Sequence, residues 1–231
     1  MKCPAIAALC CGFVAWTIEP VSAQQPSASS TPIASSPDAQ RVLASYAELM
    51  EAVQESVVVS GGAPTERMRA IEERMAGDVR VAAPELLRIA SQGGFSESDA
   101  AAYALRFAPE PAVAVEALLA ALDRFDGRLT NNICLSLEKI VAENPTVDVP
   151  VERIAQALRA PRWNNQQKAA QVLAALARRG TLADPEGTVG MALVSMLASQ
   201  RPRVFRPAQE LLPSVSGQSF GDDPQPWAQW G

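Results

Sequence analysis

Apolar residues in this chain recur at spacings of three and four, and that period leaves the backbone one regular option. Val42, Leu43, Tyr46, Leu49, Met50, Val53 and Val57 form one such stripe, and Met68, Ile71 and Met75 form another. A helix turns once per 3.6 residues, so these positions share a face, whereas a strand would need alternation by two. Strand-like alternation does not persist anywhere between residues 38 and 216. The chain of 231 residues also carries 41 alanines, the residue with the highest helix propensity. The fold class expected is all-α.

Gly, Pro and Asn mark where the helices stop. Ser36-Pro37-Asp38 opens a long helix that Gly61-Gly62 ends. The next segments are 63–76 and 79–91, stopped by Gly93-Gly94. Ser96, with Asp99 three positions on, caps a helix running to Phe107, and Pro109 and Pro111 break it. Later helices are expected at about 112–125, 129–143, 150–160, 164–179, 187–199 and 203–214, with Pro207 as a first-turn proline in the last.

The two ends differ from this pattern. Met1 and Lys2 precede an apolar run from Pro4 to Trp16, then a polar stretch, then Val21-Ser22-Ala23 with small residues where a signal peptidase reads. Residues 1–23 are therefore expected to be an export signal cleaved after Ala23, which places the mature chain in the periplasm or outside the cell, with no transmembrane span left. An uncleaved anchor is the alternative. Residues 24–37 read as a flexible Ser/Pro linker, 38–216 as the helical domain and 217–231 as an irregular tail holding Trp227 and Trp230. Removing the signal removes Cys3, Cys10 and Cys11, so Cys134 has no intramolecular disulfide partner and is expected as a small buried hydrophobe.

Helices 83 onward superpose on themselves. Val115-Glu116 matches Val151-Glu152 at an offset of 36, which carries Leu118 to Ile154, Leu122 to Leu158, Leu137 to Leu173 and Ile140 to Leu176. An offset of 39 carries Ile154 to Leu193 and Leu173 to Leu212, and a backward offset of 32 carries Leu118 to Leu86. Four helix pairs thus begin near 83, 115, 151 and 190, a period typical of helical repeats. The second helices 166–177 and 203–215 resemble those of HEAT repeats, with a basic residue, a small one and then aliphatics: Lys168, Ala169 and Leu173, and Arg206, Ala208 and Leu212. The resemblance covers about 83–215. The regular Asp and Arg between helices are mostly missing, with Gly127 and Asn164-Asn165 in those turns. The resemblance implies a right-handed α-solenoid that binds or scaffolds other macromolecules. An irregular helical bundle is the alternative architecture.

Charge is segregated along the chain. Residues 38–126 hold fifteen acidic and eight basic side chains, net −7, whereas residues 150–206 hold nine basic and three acidic, net +6. If neighbours in sequence are neighbours in space, the two halves carry opposite fields. Arg124-Phe125, Arg162-Trp163 and Arg203-Val204-Phe205-Arg206 fall at comparable places in successive pairs. Stacking would align them as a ladder of guanidinium and aromatic groups suited to an anionic partner. Trp227 and Trp230 either cap the last repeat or bind a partner. The candidate binding residues are therefore Arg124, Phe125, Arg162, Trp163, Arg203, Phe205, Arg206, Trp227 and Trp230.

Catalytic signatures are weak. With no histidine, the usual general base and commonest metal ligand are missing. Ser136-Leu137-Glu138-Lys139 spells S-x-x-K, but the companion S-D-N and K-T-G motifs are absent. Glu72 and Glu73 are adjacent on a helix and diverge. No phosphate loop or metal motif appears, so neither a cofactor nor a metal is expected. The expectation is a non-catalytic protein that binds another protein or an anionic macromolecule, other than nucleic acid. The alternatives are an exported enzyme using carboxylates and serines, or a chaperone-like subunit holding a client in an apolar groove.

Overall fold

All regular structure among the described residues is helical. The computed structural model describes residues 35–60, 63–124, 130–160, 162–180, 182, 187–221 and 223–230. The expected signal (1–23), most of the linker (24–37) and Phe125 lie outside them. The elements are α1 (Pro37–Ser60), α2 (Glu66–Gln92), α3 (Phe95–Ala104) prolonged by a 3-10 turn (Leu105–Phe107), α4 (Pro111–Arg124), α5 (Thr130–Glu143), α6 (Val151–Leu158), α7 (Trp163–Arg178), α8 (Thr188–Leu197), α9 (Pro202–Ser216) and α10 (Pro224–Trp230). Among the described residues no helix is long and apolar enough to cross a membrane.

α1 and α2 pair as an antiparallel hairpin. Val42, Ser45, Leu49, Ala52 and Ser56 are buried along α1, alternating by three and four, as a heptad seam requires. Ile71, Met75, Val79, Ala82, Leu86 and Ile89 answer from α2. Arg41, Glu48 and Glu55, seven residues apart, flank the seam and pair with Asp78, Arg74 and Arg67 respectively. At the open end the Ser36 hydroxyl donates to Glu85 and its N–H donates to both oxygens of the same carboxylate at 3.0 Å; the hydroxyl first and then the N–H pull that carboxyl below its usual range. Exposed ion pairs contribute only about 0–1 kcal/mol each. The buried aliphatics contribute about 1.5–3 kcal/mol apiece, so the apolar seam holds the hairpin and the charges fix its register.

Beyond the hairpin, every extensive helix–helix contact joins neighbours or next-but-one neighbours in the chain. α3, α5, α7 and α9 touch in succession, while α2 packs on α4 and α6 on α8. Ile133, Leu137, Ile140, Leu173, Leu176, Leu211 and Leu212 bury along the first row, and Leu118, Leu119, Ile154, Leu158 and Leu193 along the second. Two arginines staple successive units. Arg153 Nη2 donates to the Leu119 carbonyl at 2.7 Å and also reaches Asp123 on α4. Arg179, after α7, donates to the carbonyls of Pro145 and Val147.

Four sequence expectations need correction. α3 is opened by Gly94, whose N–H donates to Glu97 at 3.2 Å, rather than by Ser96 and Asp99, and Asp99 instead accepts from Tyr46. The segments 63–76 and 79–91 form the single helix α2, opened by Thr65, whose hydroxyl accepts from Met68 N–H at 3.2 Å. A glycine costs a helix about 1 kcal/mol relative to alanine, but Met75 and Val79 on either side of Gly77 bury in one stripe and outweigh it. α9 starts at Pro202, so Pro207 is interior and leaves the Arg203 carbonyl without an intrahelical donor. The tail is not wholly irregular. Asp223 accepts from Gln225 N–H at 3.0 Å and opens α10, which packs on α8.

Candidate binding surface

The first turns of α7 and α9 meet at one edge of the molecule. Trp163 begins α7 and packs half-buried against the core, while Arg201 and Pro202 start α9. The Arg201 guanidinium carbon lies 5.6 Å from the Trp163 ring centroid and that of Arg203 lies 6.0 Å from it. Two guanidinium groups thus share one indole within cation–π range. Arg162 stands exposed immediately before Trp163, and Arg206 is exposed one turn beyond Arg203. Phe205 is half-buried.

Of the expected ladder, the structure brings together Trp163 and Arg203, and adds Arg201. The side chains of Arg124 and Trp230, and all of Phe125, lie outside what is described. Trp227 is removed from the partner-binding set. It is fully buried, its ring stacks edge-on against Phe220 at 4.7 Å, and its Nε1 donates to the Gly221 carbonyl at 3.1 Å. Arg201 was countable as a charge, but its reach to Trp163 depends on how α9 sits against α7, which no local pattern records.

Ion pairing divides the chain. Among the described residues, the cations paired with carboxylates are Arg41, Arg67, Arg74, Arg88, Arg106, Lys139 and Arg153. None lies after residue 153. Arg159, Arg162, Lys168, Arg178, Arg201, Arg203 and Arg206 have no carboxylate partner among the described residues. Arg179 is spent on backbone carbonyls. The basic half therefore presents uncompensated charge, whereas much of the acidic half is internally neutralised.

A second polar cluster sits where α1, α2, α3 and α5 converge. The Tyr46 hydroxyl donates to Asp99 Oδ2 at 3.0 Å and accepts from Asn132 Nδ2 at 2.6 Å. The Tyr46 and Tyr103 rings lie 5.3 Å apart, and Tyr103 donates to Glu72 at 2.5 Å. Arg106 stacks on the Tyr103 ring at 3.7 Å and donates through Nε to the Tyr103 carbonyl at 3.2 Å. Burial and then the nearby Asp99 charge push the Tyr46 phenol up to about 12. Burial raises Asp99 above the usual carboxylate range and lowers Arg106 below the usual guanidinium value. The raised Tyr46 phenol stays protonated at neutral pH, whereas burial moves Asp99 and Arg106 toward their neutral forms, and Arg106 Nη2 is buried without a hydrogen-bond partner among the described residues. The sequence showed Tyr46 only as a stripe residue; its polar partners come from two other helices, α3 and α5.

Asp99 gives a testable sign. Its folded-state affinity for a proton exceeds the unfolded one, so its contribution to stability is fully present below the ordinary aspartate value of about 3.9 and declines as pH rises through the raised folded value. Asp99→Asn keeps an acceptor for Tyr46 without the charge. Its thermal midpoint should exceed wild type at pH 7, with the gain shrinking toward pH 3. Equal midpoints at pH 7 would contradict the assigned burial cost.

The remaining candidates resolve into structure. Ser136 of the S-x-x-K motif is fully buried and donates to the carbonyls of Ala102 (2.6 Å) and Tyr103 (3.2 Å), while Lys139 pairs with Glu143 at 2.5 Å. Cys134 is fully buried, which pushes its thiol up to about 12. A concavity of about 480 Å³ crosses α7, floored by Ala170, Ala174 and Ala177 and edged by Glu138, Arg178 and Glu210. No group of three or more metal-ligating side chains converges among the described residues. No family model matches this chain, and neither a curated protein nor a solved structure resembles it.

Proposed function

We propose that this chain is an exported, non-catalytic helical-repeat protein, a HEAT-like right-handed solenoid, that binds an anionic macromolecule along the edge carrying Trp163, Arg201 and Arg203. The repeat reading is supported by the near-neighbour contacts of its helices and by the registered offsets of their buried residues. The binding reading rests on one observation: past Arg153 the described cations lack carboxylate partners, and two of them are gathered on a single indole. Packing Arg201 and Arg203 near one ring concentrates like charge, a cost that an anionic partner offsets. Arginine suits this task because its fork takes a carboxylate or phosphate through two hydrogen bonds. Arg162 and Arg206 extend the same field, with Phe205 beside them, and the edge accepts a ligand longer than one anionic group.

The test uses a fluorescent polyglutamate peptide and anisotropy at several salt concentrations. Wild type should bind with a steep salt dependence, and Arg201→Gln/Arg203→Gln should bind at least about tenfold more weakly. Both positions are exposed, so the circular dichroism should not change. Equal affinity for the two proteins would refute the assignment of this edge.

A further inference from the structure

We infer that the anionic partner of the basic edge is the acidic half of a second copy of this chain, so that copies associate head to tail. The inference rests on the edge assigned above and adds who occupies it. Glu51, Glu66, Glu73, Glu110 and Glu116 are exposed and have no cationic partner among the described residues, where the unpaired cations of the same part of the chain are Arg69 and Arg80. Glu66 and Glu73 are seven apart and share a face of α2, on which α4, bearing Glu116, packs. The acidic excess therefore lies on α1, α2 and α4, and the basic excess on α7 and α9.

These two surfaces cannot neutralise each other within one molecule. Among the described residues extensive contacts run between neighbours and next-but-one neighbours, and none joins α1, α2 or α4 to α7 or α9. Opposite fields on separate parts of one chain meet most directly between molecules. Such a contact uses different surfaces on the two partners, so each copy keeps one free surface of each sign and the assembly extends as an open chain. Because the attraction runs between exposed charges, it weakens as the screening length shortens.

Sedimentation of the purified chain tests this in ~20 mM salt, where the screening length is roughly 20 Å, and again in ~0.5 M salt. Average mass should rise with protein concentration in low salt and return to that of the monomer in high salt. Two variants then separate the surfaces: Arg201→Gln/Arg203→Gln/Arg206→Gln and Glu66→Gln/Glu73→Gln/Glu116→Gln. Each alone should remain monomeric. Their mixture should give a 1:1 heterodimer that does not grow, since only one complementary pair of surfaces survives. A wild type that is monomeric in low salt overturns the inference, as does a mixture that fails to form the heterodimer. Wild type that stays monomeric yet binds polyglutamate would remove the second copy as partner and leave the basic edge as a binding site; loss of both would remove both.

Discussion

Trp227→Ala should lower the unfolding free energy by about 3–5 kcal/mol, the range for deleting a large buried aromatic. The ring is fully buried between Phe220 and α8, and its N–H is satisfied by the Gly221 carbonyl. α10 has seven residues, too few to persist as an isolated helix in water. Without the indole, the described large side chain left to hold the segment after Gly217 is the half-buried Phe220; at Gly217 the backbone enters the left-handed region at φ 67° to leave α9. The variant should therefore show the same urea midpoint as a chain ending at Gly217, and should be cleaved after residue 217 faster than wild type. A wild-type midpoint for Trp227→Ala would show that the tail contributes nothing to stability.

Two glycines in or next to one helix should respond to alanine with opposite signs. Gly93, at the bend from α2 to α3, is buried, and a Cβ there would lie 2.6 Å from the Ile89 carbonyl oxygen and 3.3 Å from Ser98 Oγ. That oxygen already accepts from Gly93 N–H at 2.8 Å and from Ser98 Oγ at 2.9 Å. A methyl group cannot enter without moving the backbone carbonyl that joins the two helices, so Gly93→Ala should cost about 1–3 kcal/mol. Gly77 has open space where its Cβ would stand and sits inside α2, so Gly77→Ala should stabilise by up to about 1 kcal/mol. Chemical denaturation of both variants checks the pair. A neutral Gly93→Ala would mean the bend can relax more freely than its contacts imply.

What the sequence made legible was periodic. The stripes of α1 and of α4 to α9 could be placed within a few residues because burial on one helix face repeats every three to four positions. Leu118, Ile154 and Leu193, each on an expected apolar stripe, are all buried. The failures came where tertiary packing overrode a local signal. Gly77 reads as a break, yet the stripe on either side of it stays in phase. Pro224 and Pro226 read as irregular tail, yet a cap at Asp223 and a socket for Trp227 make a helix of it. The candidate site was half legible. Arg162, Trp163 and Arg203 are conspicuous in sequence, whereas the addition of Arg201 and the withdrawal of Trp227 depend on contacts between separate helices. The Tyr46–Asp99–Asn132 cluster had no sequence signature, since its members are spread over 86 positions between Tyr46 and Asn132.

Among the described residues no extensive contact reaches beyond the next-but-one helix, so no cross-brace of that kind joins the first helices to the last. Tension applied at Ser36 and Gly217 would be carried serially, helix pair by helix pair. Arg153 and Arg179 are then rivets between adjacent plates, placed where one unit would slide past the next.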